Sequence, residues 1–177
     1  MNMTDVRYPI GKFQPKVELQ DDERQVLIHQ MAEAPARLRE AVKGLTEEQL
    51  DTPYRPEGWT VRQVVHHLPD SHLNMYIRFK LGLTEEQPTV KPYKENLWAE
   101  LADARSASAE ISLALFESVH QRFIILLQSL KPSDFARTIN HPESGTMNLD
   151  RLLQMYAWHG RHHVAQIALL RERMRWK

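Results

Sequence analysis

Histidine gives this sequence its clearest capacity for chemistry. Nine of the 177 residues are histidines and none is cysteine, so thiolate metal sites, iron–sulfur clusters and cysteine nucleophiles are excluded. Six of the histidines fall in two short clusters, which are His66, His67 and His72, and His159, His162 and His163. Because neutral imidazole is a common metal ligand, the position of each cluster in the hydrophobic pattern decides what it can do.

His159 and His163 stand four residues apart in a predicted helix. This spacing places both imidazoles on one face, about 6 Å apart along the helix axis. The same face continues as an apolar stripe made by Leu152, Tyr156, Ile167, Leu170 and Met174. A buried neutral imidazole without a partner costs about 1–3 kcal/mol, and a divalent metal can bridge such a pair. The alternative is an accidental pair of histidines on a helix, but the position in the apolar stripe favours a metal.

A third ligand is expected from the earlier histidine cluster. His67 lies at the edge where an apolar helix face turns polar, and His72 lies on the stripe itself. Spacing alone does not choose between them, because His72 could also be a core histidine bonded to a neighbour or could face a partner. His66 and His162 have charged or polar neighbours one turn away, and we predict that both are exposed to solvent.

Four long helical patterns predict an all-α four-helix bundle with long connections. The pattern of apolar residues repeats at steps of three and four, in segments that begin near Asp21, Val61, Ser108 and Asn148 and end near Gly44, Leu81, Lys131 and Met174. Pro35 is expected to kink or split the first helix. Residues 133–147 are predicted to be irregular, with room for a short hairpin. Residues 1–20 are predicted to form an extended strap, and residues 1–177 a single domain.

Three predicted helix starts carry capping residues. Thr46 and Gln49, and likewise Thr60 and Gln63, have the spacing of a capping box, in which each side chain bonds the backbone of the other residue. Asn148 is a favoured N-cap for the last long helix.

Charge and hydropathy exclude several classes of partner. The chain has 23 basic and 23 acidic residues, so it lacks the basic face of a nucleic-acid binder and the polybasic segment of a membrane anchor. The longest strongly apolar run, Phe123 to Leu127, is far shorter than a membrane span. No apolar signal core stands at the N-terminus. We therefore expect a cytoplasmic protein that binds neither nucleic acid nor membrane.

Two strings carry a resemblance to a known family. GWTVRQVVHHLPDSHLNMYIRFKL (Gly58 to Leu81) and WHGRHHVAQI (Trp158 to Ile167) resemble the DinB superfamily of metal-binding four-helix bundles, nearest to its YfiT-like group of metal-dependent hydrolases. The strings YPIGKFQP, LDTPYRPEGW and RMRW also fit, so the resemblance covers essentially the whole chain. It implies that three histidines hold one divalent metal per chain, and the matching positions are His67, His159 and His163.

Pro69 departs from the family pattern, which more usually has alanine at this position. Its missing N–H leaves the Val65 carbonyl without its helical partner. A kink is therefore predicted two residues after His67.

The implied metal site has an open position for water or substrate, because three histidines leave its coordination incomplete. That chemistry suits hydrolysis of a small-molecule substrate. The alternatives are transfer of a low-molecular-weight thiol to an electrophile, and a non-catalytic stress-response module. Zinc is the first choice of metal and nickel the second.

The sequence says less about the roles of residues other than the three implied ligands. Asp70 and Gln166 each follow a ligand by three residues. Asp70 could orient an imidazole, accept a proton or lie in solvent, and Gln166 is similarly undetermined. No catalytic residue is assigned. The aromatic residues Tyr93, Trp98 and Trp176, together with the habit of the family, predict a homodimer.

Overall fold

The computed structural model describes residues 5–176, which contain eight helices and one hairpin. Their bounds are α1 Asp21–Val42, α2 Glu47–Leu50, α3 Val61–Thr84, α4 Glu95–Trp98, α5 Ala102–Ser106, α6 Ala109–Ser129, α7 Pro132–Phe135, β1 Thr138–His141, β2 Gly145–Asn148 and α8 Leu149–Met174. Within these residues, no helix has both the length and the apolar character needed to cross a membrane.

The four long helices α1, α3, α6 and α8 form the predicted four-helix bundle. Helix α1 packs against α6 and α8, and α3 packs against the same two helices. Helices α1 and α3 therefore lie diagonally across the bundle although they follow one another along the chain. This order requires a connection across the end of the bundle instead of a tight turn between neighbours.

Buried apolar side chains form two clusters in the bundle. One cluster includes Met75, Phe79 and Phe123, and the other includes Leu68 and Phe116. Histidines occupy the buried positions between the two clusters, with His72 on α3 and His120 on α6. The two apolar clusters thus enclose a polar layer in the middle of the bundle.

The ends of the helices agree with the capping predictions. Thr60 Oγ1 accepts a hydrogen bond from the Gln63 amide, and Gln63 Oε1 accepts one from the Thr60 amide. Thr46 and Gln49 make the same pair of bonds. Asn148 Oδ1 accepts from the backbone amide three residues later. These bonds satisfy backbone donors that have no partner inside the helix.

Prolines lie inside two of the long helices without dividing them. Of the kink or split predicted at Pro35, the split does not occur, because helix α1 is continuous through this residue. Ala34 and Leu38 on either side are buried in the core, and their packing holds both halves in one helix despite the missing hydrogen bond. Helix α3 is likewise continuous through Pro69 and runs three residues past its predicted end.

Residues 5–20, the N-terminal strap, contain neither helix nor strand and lie along α8. Residues 1–4 of the predicted strap are outside the described part of the chain. The Lys16 amide donates to Gln154 Oε1 at 2.8 Å, and Gln154 Nε2 donates back to the Lys16 carbonyl at 3.1 Å. Trp158 Nε1 donates to the Gly11 carbonyl at 3.2 Å. Side chains on α8 thereby provide hydrogen-bond partners for backbone groups of the strap, which pairs with no strand.

The hairpin stands immediately before α8. Strands β1 and β2 are antiparallel and pair Thr138 with Asn148. Asn148 therefore ends the hairpin and also caps α8. Because the two elements share this residue, the hairpin fixes the direction in which the histidine-bearing helix begins.

Candidate metal centre

Helices α3 and α8 bring the three predicted ligands together. His67 Nε2 lies 3.2 Å from His159 Nε2, and His163 Nε2 lies 3.2 Å from the same atom. Each residue offers one ring nitrogen, and all three nitrogens lie within 4.8 Å of one another. His67 and His163 are buried, whereas His159 keeps part of its surface open. The separations suit three imidazoles around one cation.

A chain of imidazoles runs from His159 across the bundle. His159 Nδ1 is 3.3 Å from His72 Nε2, and His72 Nδ1 is 2.9 Å from His120 Nε2. The last ring ends on backbone, because His120 Nδ1 is 2.7 Å from the carbonyl oxygen of Met31. The chain therefore involves all four long helices.

The Met31 carbonyl determines where each proton in this chain lies. A carbonyl can only accept, so His120 carries its proton on Nδ1 and accepts at Nε2. His72 must then donate from Nδ1 and accept at Nε2, and His159 must donate from Nδ1. The Nε2 atom of His159, which faces the other two ligands, is left with a free lone pair.

A second backbone carbonyl fixes the proton on His163. Gln166 Nε2 donates to the Arg7 carbonyl at 3.1 Å, which identifies the amide nitrogen and leaves Oε1 facing His163. Gln166 Oε1 is 2.9 Å from His163 Nδ1, so that ring nitrogen carries the proton. His163 Nε2 therefore also has a free lone pair. Of the expectations for Gln166, orientation of an imidazole is the one that its contacts support.

These proton positions test whether the residues fit a metal. The Nε2 atoms of His159 and His163 are 3.2 Å apart, yet both are acceptors and neither can donate to the other. Two lone pairs that face each other at this distance repel, and a cation bound by both nitrogens would remove that repulsion. The donor set is three imidazole nitrogens, and two of them are held by outer hydrogen bonds as in known metal-binding histidines. The residues fit a divalent metal.

Burial keeps the three imidazoles neutral. Loss of hydration lowers the pKa of His67 to about 4. Burial, and then the neighbouring imidazoles, hold the pKa values of His159 and His163 well below the usual range. Neutral imidazole is the form that binds a metal, so near pH 7 no proton has to leave before binding.

Comparison with known proteins adds to this geometry. The sequence pattern of the DinB superfamily matches residues 30–167, which is more than half of the chain. The chain belongs to the DinB superfamily. Two relatives are each 51% identical over 174 residues, which is 98% of this chain and 100% of each relative. They come from Bacillus mycoides strain KBAB4 and Bacillus cereus strain 03BB102, and both are named "Putative metal-dependent hydrolase".

A solved structure shows the same fold. It has a TM-score of 0.95 and 46% sequence identity, and the match covers 97% of this chain and 99% of that one. Its description is "YfiT from Bacillus subtilis is a probable metal-dependent hydrolase with an unusual four-helix bundle topology". The resemblance found in the sequence is thereby confirmed for the family and for the fold.

Trp59 covers one side of the three histidines in this DinB-superfamily chain. Its ring centroid is 4.6 Å from that of His67 and 6.3 Å from that of His163. Trp59 stands just before Thr60, the N-cap of α3, so the capping box that starts the helix also places the indole. Sequence reasoning did not single out Trp59 as part of the centre, and no spacing rule would have done so.

His120 is a second residue that sequence reasoning missed. It follows Phe116 by four residues and precedes Phe123 by three, and both phenylalanines are buried. A histidine inside an apolar stripe was the signal that selected His159, and the same test applied to α6 would have found His120. The open question about His72 is also resolved, since His72 is a core histidine bonded to His120 and His159 and does not join the three converging nitrogens.

The predicted exposure of His66 and His162 is wrong, because both residues are buried. His66 Nδ1 is 2.6 Å from Ser112 Oγ, and His66 Nε2 donates to the Ala107 carbonyl at 3.1 Å. His162 stacks on Trp158 at 4.5 Å and lies 5.8 Å from the ring of Tyr8. Helix periodicity could not foresee that the strap and the start of α6 would cover these polar faces.

Asp70 is half-buried and makes no side-chain hydrogen bond to His67 among residues 5–176. Orientation of that imidazole is therefore not its role. Burial, and then the charge of Asp103, raise the pKa of Asp70 to about 6.

Two pockets reach the histidines from different sides. One, of about 180 Å³, is lined by His159 together with Tyr93 and Tyr156. The other, of about 280 Å³, is lined by His163, Trp59 and residues of the strap. A small molecule could thus reach the centre without a change in the bundle.

Proposed function

We propose that this protein is a metal-dependent hydrolase of small molecules, in which His67, His159 and His163 hold one divalent metal. The observation that carries the proposal is the 3.2 Å separation of two acceptor nitrogens, His159 Nε2 and His163 Nε2. The names of the 51% identical relatives support the same reaction class. Imidazole ligands suit several divalent metals, and we propose zinc first and nickel second.

The chain's own residues prepare the centre for that role. His72 and His120 hold the ring of His159, and Gln166 holds the ring of His163, so the lone pairs point inward before anything binds. Trp59 packs against His67 on one side of the centre. A metal bound there would act as a Lewis acid with a position left for water or substrate. The pocket beside His159 gives the substrate an approach.

Thiol transfer is the second candidate, because a cation with an open position also stabilises a thiolate. The chain has no cysteine, so the thiol would come from solution as a co-substrate. A third candidate is a metal-binding stress-response module without turnover. Only the third predicts that no substrate is converted.

Metal analysis combined with two activity screens tests the proposal. The purified protein should contain about one divalent metal per chain, and His163→Ala should remove it. His29→Ala is the matched control, because the His29 side chain is 74% exposed on α1 and contacts Glu33 instead of the centre. Equal metal in the wild type and in His163→Ala would refute the site.

The screens separate the candidate reactions. A hydrolase should cleave an ester, amide or phosphoester without added thiol. A transferase should convert an alkylating electrophile only when a small thiol is supplied, and its product should carry that thiol. Metal-dependent conversion in the second screen alone would replace the hydrolase proposal.

A further inference from the structure

Three arginines are buried in the described part of the chain, and one of them differs from the other two. Arg24 is 6% exposed and bonds Asp150 with two nitrogens. Arg62 is 4% exposed and pairs with Asp51 and Glu47. Arg78 is 7% exposed, yet it has no carboxylate partner among residues 5–176. Buried charges are ordinarily paired, because a lone charge removed from water costs free energy.

The contacts of Arg78 are neutral and leave most of its donors unused. Nη1 donates to the Tyr156 hydroxyl at 3.2 Å, and Nη2 donates to the Lys91 carbonyl at 3.1 Å. A guanidinium has five N–H donors, so three remain without a partner in the described residues. The two bonds hold the guanidinium in place without neutralising its charge.

Arg78 also opens onto the pocket that reaches the metal centre. It lines the 180 Å³ pocket together with Tyr156 and His159. One tyrosine separates the guanidinium from the ligand, since the Tyr156 ring centroid is 5.7 Å from that of His159. A group bound to Arg78 would therefore lie in the same pocket as His159.

We propose that Arg78 is the anion subsite of this pocket and that the substrate carries a carboxylate a few bonds away from the bond that reacts. The planar guanidinium fork matches the two oxygens of a carboxylate. Burial raises the pKa of the Tyr93 hydroxyl, which lines the same pocket and so remains a donor. The assignment of this anion to a substrate rests on the proposed function, whereas binding of the anion does not.

The rim of the pocket favours a single negative charge. Glu95 and Glu143 line the same pocket and are exposed. Their carboxylates repel a doubly charged phosphate more strongly than a singly charged carboxylate. Inorganic phosphate is therefore the comparison ligand that tests the charge as well as the site.

Calorimetric titration of the full-length, metal-loaded protein with benzoate and with inorganic phosphate tests this subsite, and the same titration is repeated after chelation. Arg78→Met should weaken benzoate binding at least about tenfold, since a hydrogen bond to a charged group is lost. Arg122→Met is the matched control, with the same change of charge at an exposed position on α6, and it should bind benzoate as the wild type does. Phosphate should bind more weakly than benzoate.

A second, more conservative variant keeps the test informative if Arg78→Met fails to fold. Arg78→Lys keeps the charge and loses the fork, so it should bind benzoate several-fold more weakly than the wild type. Equal benzoate binding by the wild type and either Arg78 variant would overturn the subsite, as would a wild type that binds no benzoate. Stronger binding of phosphate would overturn the carboxylate assignment.

The outcome is independent of the metal proposal. Benzoate binding that requires Arg78 and persists after chelation supports the subsite even if no hydrolysis is found. If hydrolysis requires His163 but benzoate affinity is the same in the wild type and the Arg78 variants, the proposed function is supported and this subsite is not.

Discussion

His120 Nδ1 lies 2.7 Å from the carbonyl oxygen of Met31, at the far end of the imidazole chain that begins at His159. That single bond joins α6 to α1 and sets the proton position on every ring between them. The lone pair of a proposed ligand on α8 thus depends on a backbone atom of another helix. Removal of His120 should therefore change the proton position on His159, although His72 lies between the two residues.

His120→Phe is expected to weaken metal binding by about 10- to 100-fold, the usual cost of losing an outer hydrogen-bond partner. Without His120, His72 can place its proton on Nε2 and force the proton of His159 onto the nitrogen that faces the metal. Nitrogen-15 NMR of the ring nitrogens in the metal-free protein should show this change of tautomer at His159. The control is His29→Phe at an exposed site, and unchanged affinity in His120→Phe would contradict the proposed chain.

Gln166→Leu should loosen the strap and weaken metal binding together. The substitution removes the bond to the Arg7 carbonyl and the bond that holds His163. Gln154→Leu is the matched control, because Gln154 bonds the strap at Lys16 and, among residues 5–176, makes no hydrogen bond to a proposed ligand. Hydrogen exchange should rise in the strap of both variants, whereas metal affinity should fall only in Gln166→Leu. A fall of affinity in both would show that the strap itself carries the effect.

The metal-free protein should lose stability as the pH falls from about 6.5 to about 4. Burial lowers the pKa of eight histidines: His66, His67, His72, His120, His141, His159, His162 and His163. The unfolded chain binds protons first in this range, so acid favours unfolding, by about 1.4 kcal/mol per pH unit for each extra proton. Asp70 acts in the opposite direction, since its pKa is raised, but it is a single group.

Urea denaturation at pH 7.5, 6.5 and 5.5 measures this effect. The free energy of unfolding should fall between pH 7.5 and 6.5, and it should fall more steeply between pH 6.5 and 5.5. A flat profile down to pH 5.5 would mean that the histidines are charged in the folded protein.

Chelation should leave the helical circular dichroism intact. The two apolar clusters lie on either side of the histidine layer and pack without any ion. Removal of the bound metal lowers the free energy of unfolding only by the binding contribution, which depends on the concentration of the metal and on its affinity. Collapse of the helical signal after chelation would instead identify a structural metal.

We expect a homodimer, and sedimentation at micromolar concentration tests it against the 20.8 kDa monomer. Of the three aromatic residues that suggested an interface, only Trp98 is exposed, at 39%. Tyr93 packs against Trp98 at 4.6 Å between ring centroids, and Trp176 packs against the core. The exposed surface near Trp98 is therefore the first place to introduce a charge that should dissociate the dimer.

Local signals in the sequence were enough to predict the bundle and its helix starts. Thr60 with Gln63 and Asn148 define caps that depend only on neighbouring residues. The pairing of His159 with His163 also follows from the helical period. Each cap, and the pairing of these two histidines, is decided within about one turn of one helix.

Features that depend on contacts between distant segments could not be predicted in the same way. The burial of His66 depends on Ser112 and Ala107, which lie more than 40 residues later. The proton on His163 depends on a carbonyl of the strap 159 residues away from Gln166. Such contacts follow from how the elements pack, and no period within one helix encodes them.

The fluorescence of Trp59 can report on the proposed metal centre. Its indole is 4.6 Å from the ring of His67, so an ion held by that ring would lie close enough to affect its fluorescence. Zinc has a filled d shell and leaves the emission of an indole largely unchanged, whereas nickel has a partly filled shell and quenches it. The chain has four tryptophans, and the part of the emission that Trp59→Phe removes should therefore be quenched when nickel binds and stay largely unchanged when zinc binds.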